Sequence, residues 1–100
     1  MDEIDKPDKY QKLPEERKQF LLNWIKNNLK PIQRTNLKHT SYEIKHWIED
    51  EYPKEYFTNG EFKGAMLEAG YLVNDTNAEN WQFNISEQSP YLEQKKAQFK

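Results

Sequence analysis

Residues 40–70 read TSYEIKHWIEDEYPKEYFTNGEFKGAMLEAG, and the choice of fold turns on them. Thr40-Ser41-Tyr42-Glu43 has the form of a capping box, in which Thr40 accepts the third N–H of a helix and Glu43 reaches back. Ile44, Trp47, Ile48 and Tyr52 then share one face, and Pro53 closes the helix. Thr58-Asn59-Gly60-Glu61 repeats the device. Phe62, Ala65, Met66 and Ala69 are spaced for burial, and Gly70 stands where a left-handed C-terminal residue is wanted. Helices over 41–52 and 58–69 would thus be joined by YPKEYF, with Tyr56 and Phe57 stapled into the second. That is a helix-turn-helix-like pair.

Upstream, a first helix is expected from about Pro14 to Leu29. Pro14 suits the first turn, Glu15 and Glu16 suit the positive end of the dipole, and Pro31 stops it. Phe20, Leu21, Trp24, Ile25 and Leu29 form its apolar stripe. Residues 30–39, KPIQRTNLKH, read as a loop in which Thr35-Asn36-Leu37 could make a short strand. Downstream, Tyr71-Leu72-Val73 and the alternating Trp81-Gln82-Phe83-Asn84-Ile85 flank an Asn- and Asp-rich loop, which predicts a β-hairpin. Such a hairpin needs the helices to bury its aromatic face.

This order of elements predicts a mainly α fold with a small β-hairpin: a winged helix-turn-helix of three helices plus a two- or three-stranded antiparallel sheet, over residues 13–86. Trp24, Trp47 and Trp81 are expected to meet in its core rather than to act as stacking platforms. Residues 1–12 are polar and charged and read as a disordered N-terminal segment. Residues 87–100 read as a C-terminal tail or a short helix from Ser89-Pro90, anchored by Leu92 and Phe99.

With 100 residues the chain is one domain. Charged residues make up 32% and hydrophobic ones 35%, so burial rests on the 14 aromatics. No apolar run is long enough for a membrane span or a secretory segment, and a cytoplasmic location is expected. No cysteine is present, which excludes disulfides, thiol catalysis and Cys-based zinc sites. His39 and His46 lie seven apart without an H-E-x-x-H pattern, so no metal is expected. Glu49, Asp50 and Glu51 point to different sides of a helix and form no catalytic dyad. Without a nucleophile–base set or a phosphate loop, the chain reads as a non-enzyme without cofactors.

The stretch from His39 to Ser86 resembles a family of small winged-helix-like proteins of Gram-positive phages and prophages. Ser41-Tyr42 with Lys45-His46, then Thr58-Asn59-Gly60-Glu61-Phe62-Lys63-Gly64-Ala65-Met66, and Asn80-Trp81 with Phe83-Asn84 carry the resemblance. It implies the fold and a mobile-element setting, and it brings no activity and no catalytic residue.

Two partner readings follow. In the first, the helix over 58–69 reads double-stranded DNA through Asn59 and Lys63, and the start of the helix over 41–52 holds phosphate through Lys38, His39, Thr40 and Ser41. Arg34 and Lys45 extend that patch, and residues 30–46 carry a net +3. Gly60 and Gly64 share one face, which invites close approach by a DNA backbone, a partner helix or the first helix of the same fold. Against this reading stand a sequence pI near 5.7, acidic residues in the reading helix (Glu61, Glu68), and Asp75 and Glu79 at the wing tip. In the second reading, the acidic run from residue 47 to 61 makes the domain a module that binds a host or phage protein. Neither reading requires a membrane or a metal.

Overall fold

The computed structural model of the chain describes residues 2–98. Helix α1 (Glu15–Asn28) starts where Pro14 turns its carbonyl to the N–H groups of Arg17 and Lys18. Helix α2 (Ser41–Glu51) is capped by the Thr40 hydroxyl, which accepts the Glu43 N–H at 3.3 Å. Only half of that capping box forms, because the Glu43 carboxylate turns to His39. Helix α3 (Asn59–Glu68) has both halves: Thr58 Oγ1 accepts the Glu61 N–H at 3.1 Å, and the Thr58 N–H reaches Glu61 Oε1 at 2.9 Å. Its far end is a Schellman motif. Gly70 takes φ 90°, its N–H bonds to the Leu67 carbonyl, and the Tyr71 N–H bonds to the Met66 carbonyl. Helix α4 (Pro90–Gln98) completes the set.

The C-terminal segment is therefore helical, as one of its two readings had it. Tyr91, 4% exposed, is its anchor; Leu92 packs partly against the core, and Phe99 lies outside the described residues. The Tyr91 ring stacks on Trp47 (centroids 4.7 Å apart, planes at 14°) and tilts against Trp24 at 5.8 Å. Trp81 instead meets Phe83, edge to face at 6.2 Å. Trp24 and Trp81 thus belong to one core, with Trp47 packed against it, through two sets of ring contacts.

The winged helix is corrected by the structure. Residues 71–74 and 81–85 run past one another, but among the described residues no strand forms. Only isolated bridges join Val73 to Phe83 and Pro31 to Ile85. One side chain and a proline explain the missing ladder. The Leu72 N–H donates to Asn84 Oδ1 (2.7 Å), so a side chain stands where a backbone carbonyl would continue the pairing. Asn84 Nδ2 then holds the Ile32 carbonyl at 2.8 Å. On the other flank Pro31 has no N–H to give. The backbone of residues 81–86 is instead satisfied one group at a time by the loop after α1. Ser86 bonds to Lys30, Ile32 to Asn84, Asn36 to Phe83, and Ser41 to Trp81. The alternation in 81–85 does mark an extended segment whose Trp81, Phe83 and Ile85 are buried, each contributing on the order of 2 kcal/mol by burial.

Residues 2–12, expected to be disordered, form two 3-10 turns, Glu3–Asp5 and Pro7–Lys12, that lie along α3 as a strap. Two glycines make this possible. A Cβ on Gly60 would overlap the carbonyl oxygens of Lys6 and Ile4, and one on Gly64 would overlap the Pro7 carbonyl and Tyr10 Cβ. With hydrogen in place of methyl, backbone packs on backbone, and Tyr10 sinks to 3% exposure. Helix α3 is consequently covered nearly all round, by the strap, α1 and α2, and seven of its ten residues are buried. No helix of the described residues is long and apolar enough to cross a membrane.

Candidate functional site

Asn59 and Lys63, the expected base readers, are the most deeply buried polar residues of α3. Asn59 is 3% exposed and donates to Asp5 Oδ1 at 2.9 Å. Lys63 has no exposed surface; its Nζ donates to the Asp5 carbonyl oxygen at 2.9 Å and stands 4.8 Å from the Trp81 ring. Desolvation pulls the Lys63 ammonium below its ordinary pKa, against the opposite pull of Asp5 and Glu79. The glycine face is approached from within the chain, by the strap rather than by the first helix.

At the start of α2, Ser41 is buried and Oγ accepts the Trp81 N–H at 3.0 Å. Thr40 is occupied as the cap. Lys45, 3% exposed, pairs with Glu49 at 2.9 Å and lies about 5 Å from the Tyr42 and Tyr56 rings. His39 is held between two carboxylates, with Nδ1 3.1 Å from Glu43 Oε2 and Nε2 2.7 Å from Glu87 Oε2. Arg34 and Lys38 alone of the expected patch are exposed, and the nearby α2 N-terminus already has the Glu43 and Glu87 carboxylates beside it. A phosphate arriving there would meet negative charge.

Burial pushes the Glu87 carboxyl up, but hydrogen bonds from Asn36 Nδ2 (2.6 Å) and His39, together with the charges of His39 and Lys38, hold it below the usual glutamate value. A folded-state pKa below the unfolded one gives stability that is present above pH 4.5 and is lost as pH falls through the folded value. Glu87→Gln should therefore flatten the acid limb of a stability–pH curve below about pH 4.5 while lowering stability at pH 7. An unchanged acid limb in urea titrations of the variant would disprove this role.

The acidic run is also largely spoken for. Glu49 pairs with Lys45 and His46, Glu51 accepts the Trp24 indole N–H at 3.2 Å, Glu55 pairs with Arg17 at 2.9 Å, and Glu61 closes the α3 cap. These contacts knit α1 to α2 and to the turn before α3.

What the surface does offer is an apolar groove of about 400 Å³ between α1 and the end of α3. Leu22 and Ile25 line it from α1 and Leu29 from the cap that follows, Ala69 and Tyr71 from the other side, and Pro31 from the loop after α1. The helix periods place these residues there. Leu22, Ile25 and Leu29 recur at three and four, and the Schellman turn at Gly70 brings Tyr71 back beside Ala69. Burial raises the Tyr71 phenol to about 12, so this wall carries no charge near neutrality. Lys26 stands on one side and Glu68 on the other, neither in an ion pair with a described residue. Leu67 (46% exposed) and Leu72 (63% exposed) adjoin the groove residues in sequence. Leu22 lies off the apolar stripe expected for the first helix.

No family model, no curated protein and no solved structure matches this chain. None of these comparisons supports the resemblance to phage and prophage proteins read from residues 39–86.

Proposed function

We propose that this chain is a non-enzymatic protein-interaction module whose groove between α1 and the end of α3 receives a short amphipathic helix of a partner protein. The groove's composition carries this reading: an apolar floor, with a cation and an anion on opposite walls, neither paired with a described residue. A helix with apolar residues at i, i+3 and i+4 would cover the floor. An acidic and a basic residue on its flanks would complement Lys26 and Glu68. Against a nucleic acid, the expected patch retains two solvent-facing cations, too few for an affinity built mainly on phosphate neutralisation.

Selection of displayed peptides against the full chain tests the reading. The expected winners carry apolar residues at helical spacing and bind roughly tenfold or more weakly to Leu22→Gln, a loss typical of an anchor contact, with no change for Arg34→Glu. Peptides indifferent to Leu22→Gln would overturn the groove as the docking site. Duplex DNA bound at low salt and lost in Arg34→Glu would replace it with the nucleic-acid reading. Concentration-dependent dimerisation abolished by Leu22→Gln would assign the groove to a second copy instead.

A further inference from the structure

His39 faces two carboxylates at once, and a neutral imidazole cannot satisfy both. Its Nδ1 lies 3.1 Å from Glu43 Oε2 and its Nε2 2.7 Å from Glu87 Oε2. An ionised carboxylate only accepts, and a neutral ring has one N–H donor and one lone pair. Both contacts are hydrogen bonds only in the imidazolium, where each nitrogen donates. The side chain is 13% exposed and meets Trp47 edge to face at 5.1 Å, so packing holds the ring between its two acceptors.

The two carboxylates differ in what else they can do. Glu87 Oε2 also accepts from Asn36 Nδ2 at 2.6 Å, and it makes the shorter contact with His39. Glu43 has an alternative partner. It is the third residue of α2, the place that Glu61 holds in α3, and Glu61 accepts the N–H of its cap residue Thr58 at 2.9 Å. In α2 the Thr40 hydroxyl makes its half of the box, while the Glu43 carboxylate is drawn off to His39. The same T-x-x-E motif is thus closed at α3 and half open at α2, and the imidazole beside it accounts for the difference.

We infer that His39 is a proton-operated latch on the start of α2. With its proton on, the ring ties the first turn of α2, through Glu43, to Glu87 in the segment leading into α4. When Nδ1 gives its proton to water, Nε2–H stays on Glu87 and the Nδ1 lone pair repels Glu43. The Glu43 carboxylate then turns to the Thr40 N–H and closes the capping box. The other charged or titratable groups around the ring are Lys38 in the same loop and Lys96, whose Nζ donates to the Glu87 carbonyl at 3.1 Å. Beyond Trp47 stands the Tyr91 phenol, raised to about 12 by burial and by the charges of Asp50, Glu51 and Glu43. Carboxylates, ammonium groups and phenols titrate outside about pH 5–8, whereas imidazole changes its charge there. The latch therefore works across neutrality, and none of its residues lines the groove.

The Thr40 amide proton reports the two states. In an NMR titration of the full chain from about pH 5.5 to about 8, this proton should move downfield in the wild type. Its solvent exchange, relative to an unstructured chain at the same pH, should slow roughly two- to tenfold, the factor one net hydrogen bond contributes. Glu43→Ala removes the second half of the box and should leave Thr40 unprotected at both ends of the range. The Glu43 side chain is 45% exposed, so this variant should fold. His39→Phe keeps a ring against Trp47 without its nitrogens and should leave Thr40 protected at both ends; if it fails to fold, Glu43→Ala decides. A wild-type Thr40 amide that stays constant across the range overturns the latch. So does a full wild-type excursion in Glu43→Ala or in folded His39→Phe.

Discussion

Lys63→Glu is expected to abolish the packing of α3 rather than to trim one contact. The side chain has no exposed surface, so a glutamate there cannot reach water. Where the ammonium donates to the Asp5 carbonyl, a carboxylate would set oxygen against oxygen. Over the Trp81 ring, the attraction of a cation for the π face becomes repulsion. The Asp5 and Glu79 charges, which now favour the lysine, would disfavour the replacement. An uncompensated buried charge costs about 3–5 kcal/mol, a large part of the 5–15 kcal/mol that holds a typical domain together. Lys63→Met keeps the stem and loses the charge. It should cost about 1–2 kcal/mol, mainly because the Asp5 carbonyl loses its donor. Urea unfolding followed by tryptophan fluorescence separates the two. A wild-type midpoint for Lys63→Glu would mean that the side chain faces solvent and that α3 is open to partners. Any loss of ligand binding by this variant has to be read against its loss of fold.

The helices were legible in the sequence because their signals are local. Thr58 and Glu61 close their box within one turn, Gly70 supplies the left-handed exit, and Pro14, Pro31 and Pro53 stand at or just beyond helix ends. The alternation of Trp81, Phe83 and Ile85 reported burial faithfully, since it depends on one extended segment. Pairing depends on what arrives opposite, and there Pro31 and the Asn84 side chain interrupt the ladder. The expected site failed for a related reason. Whether a polar residue of α3 faces water is decided by residues more than fifty positions away. Asp5 and Tyr10, set in a charged segment with few apolar neighbours, cover the face that holds Asn59, Lys63, Gly60 and Gly64. The glycine pair was the available clue, and it marked close backbone approach without saying by which segment. Lys45 repeats the lesson nearer in sequence: the Tyr42 and Tyr56 rings and Glu49 turn an expected phosphate contact into an interior cation. The groove is written in leftovers, apolar residues such as Leu22, Leu67 and Leu72 that the three-helix core did not absorb.

Gly64→Ala should destabilise the chain although it improves the helix. In an open helix the change would gain about 1 kcal/mol. Here the new methyl falls on the Pro7 carbonyl oxygen and on Tyr10 Cβ, atoms fixed by the strap backbone and unable to swing aside as the tip of a long side chain would. The strap must lift, and the Tyr10 ring loses its burial, worth roughly 2–3 kcal/mol. That loss is also the ceiling, because once the strap is free the clash has gone and the propensity gain returns. The net expectation is a loss of about 1–2 kcal/mol, expressed first as rapid tryptic cleavage after Lys9 and Lys12 while α1, α2 and α3 still unfold together. Gly60→Ala should behave alike through the Lys6 and Ile4 carbonyl oxygens. Gly70→Ala is the contrast. Nothing lies within 4 Å of its Cβ, but φ of 90° strains any side chain, so it should lower global stability by about 1 kcal/mol and leave the strap protected. A Gly64→Ala protein as stable as the wild type, with residues 2–12 equally resistant to trypsin, would show that the strap does not lie on α3. The burial of Asn59 and Lys63, which requires the docked strap, would fall with it.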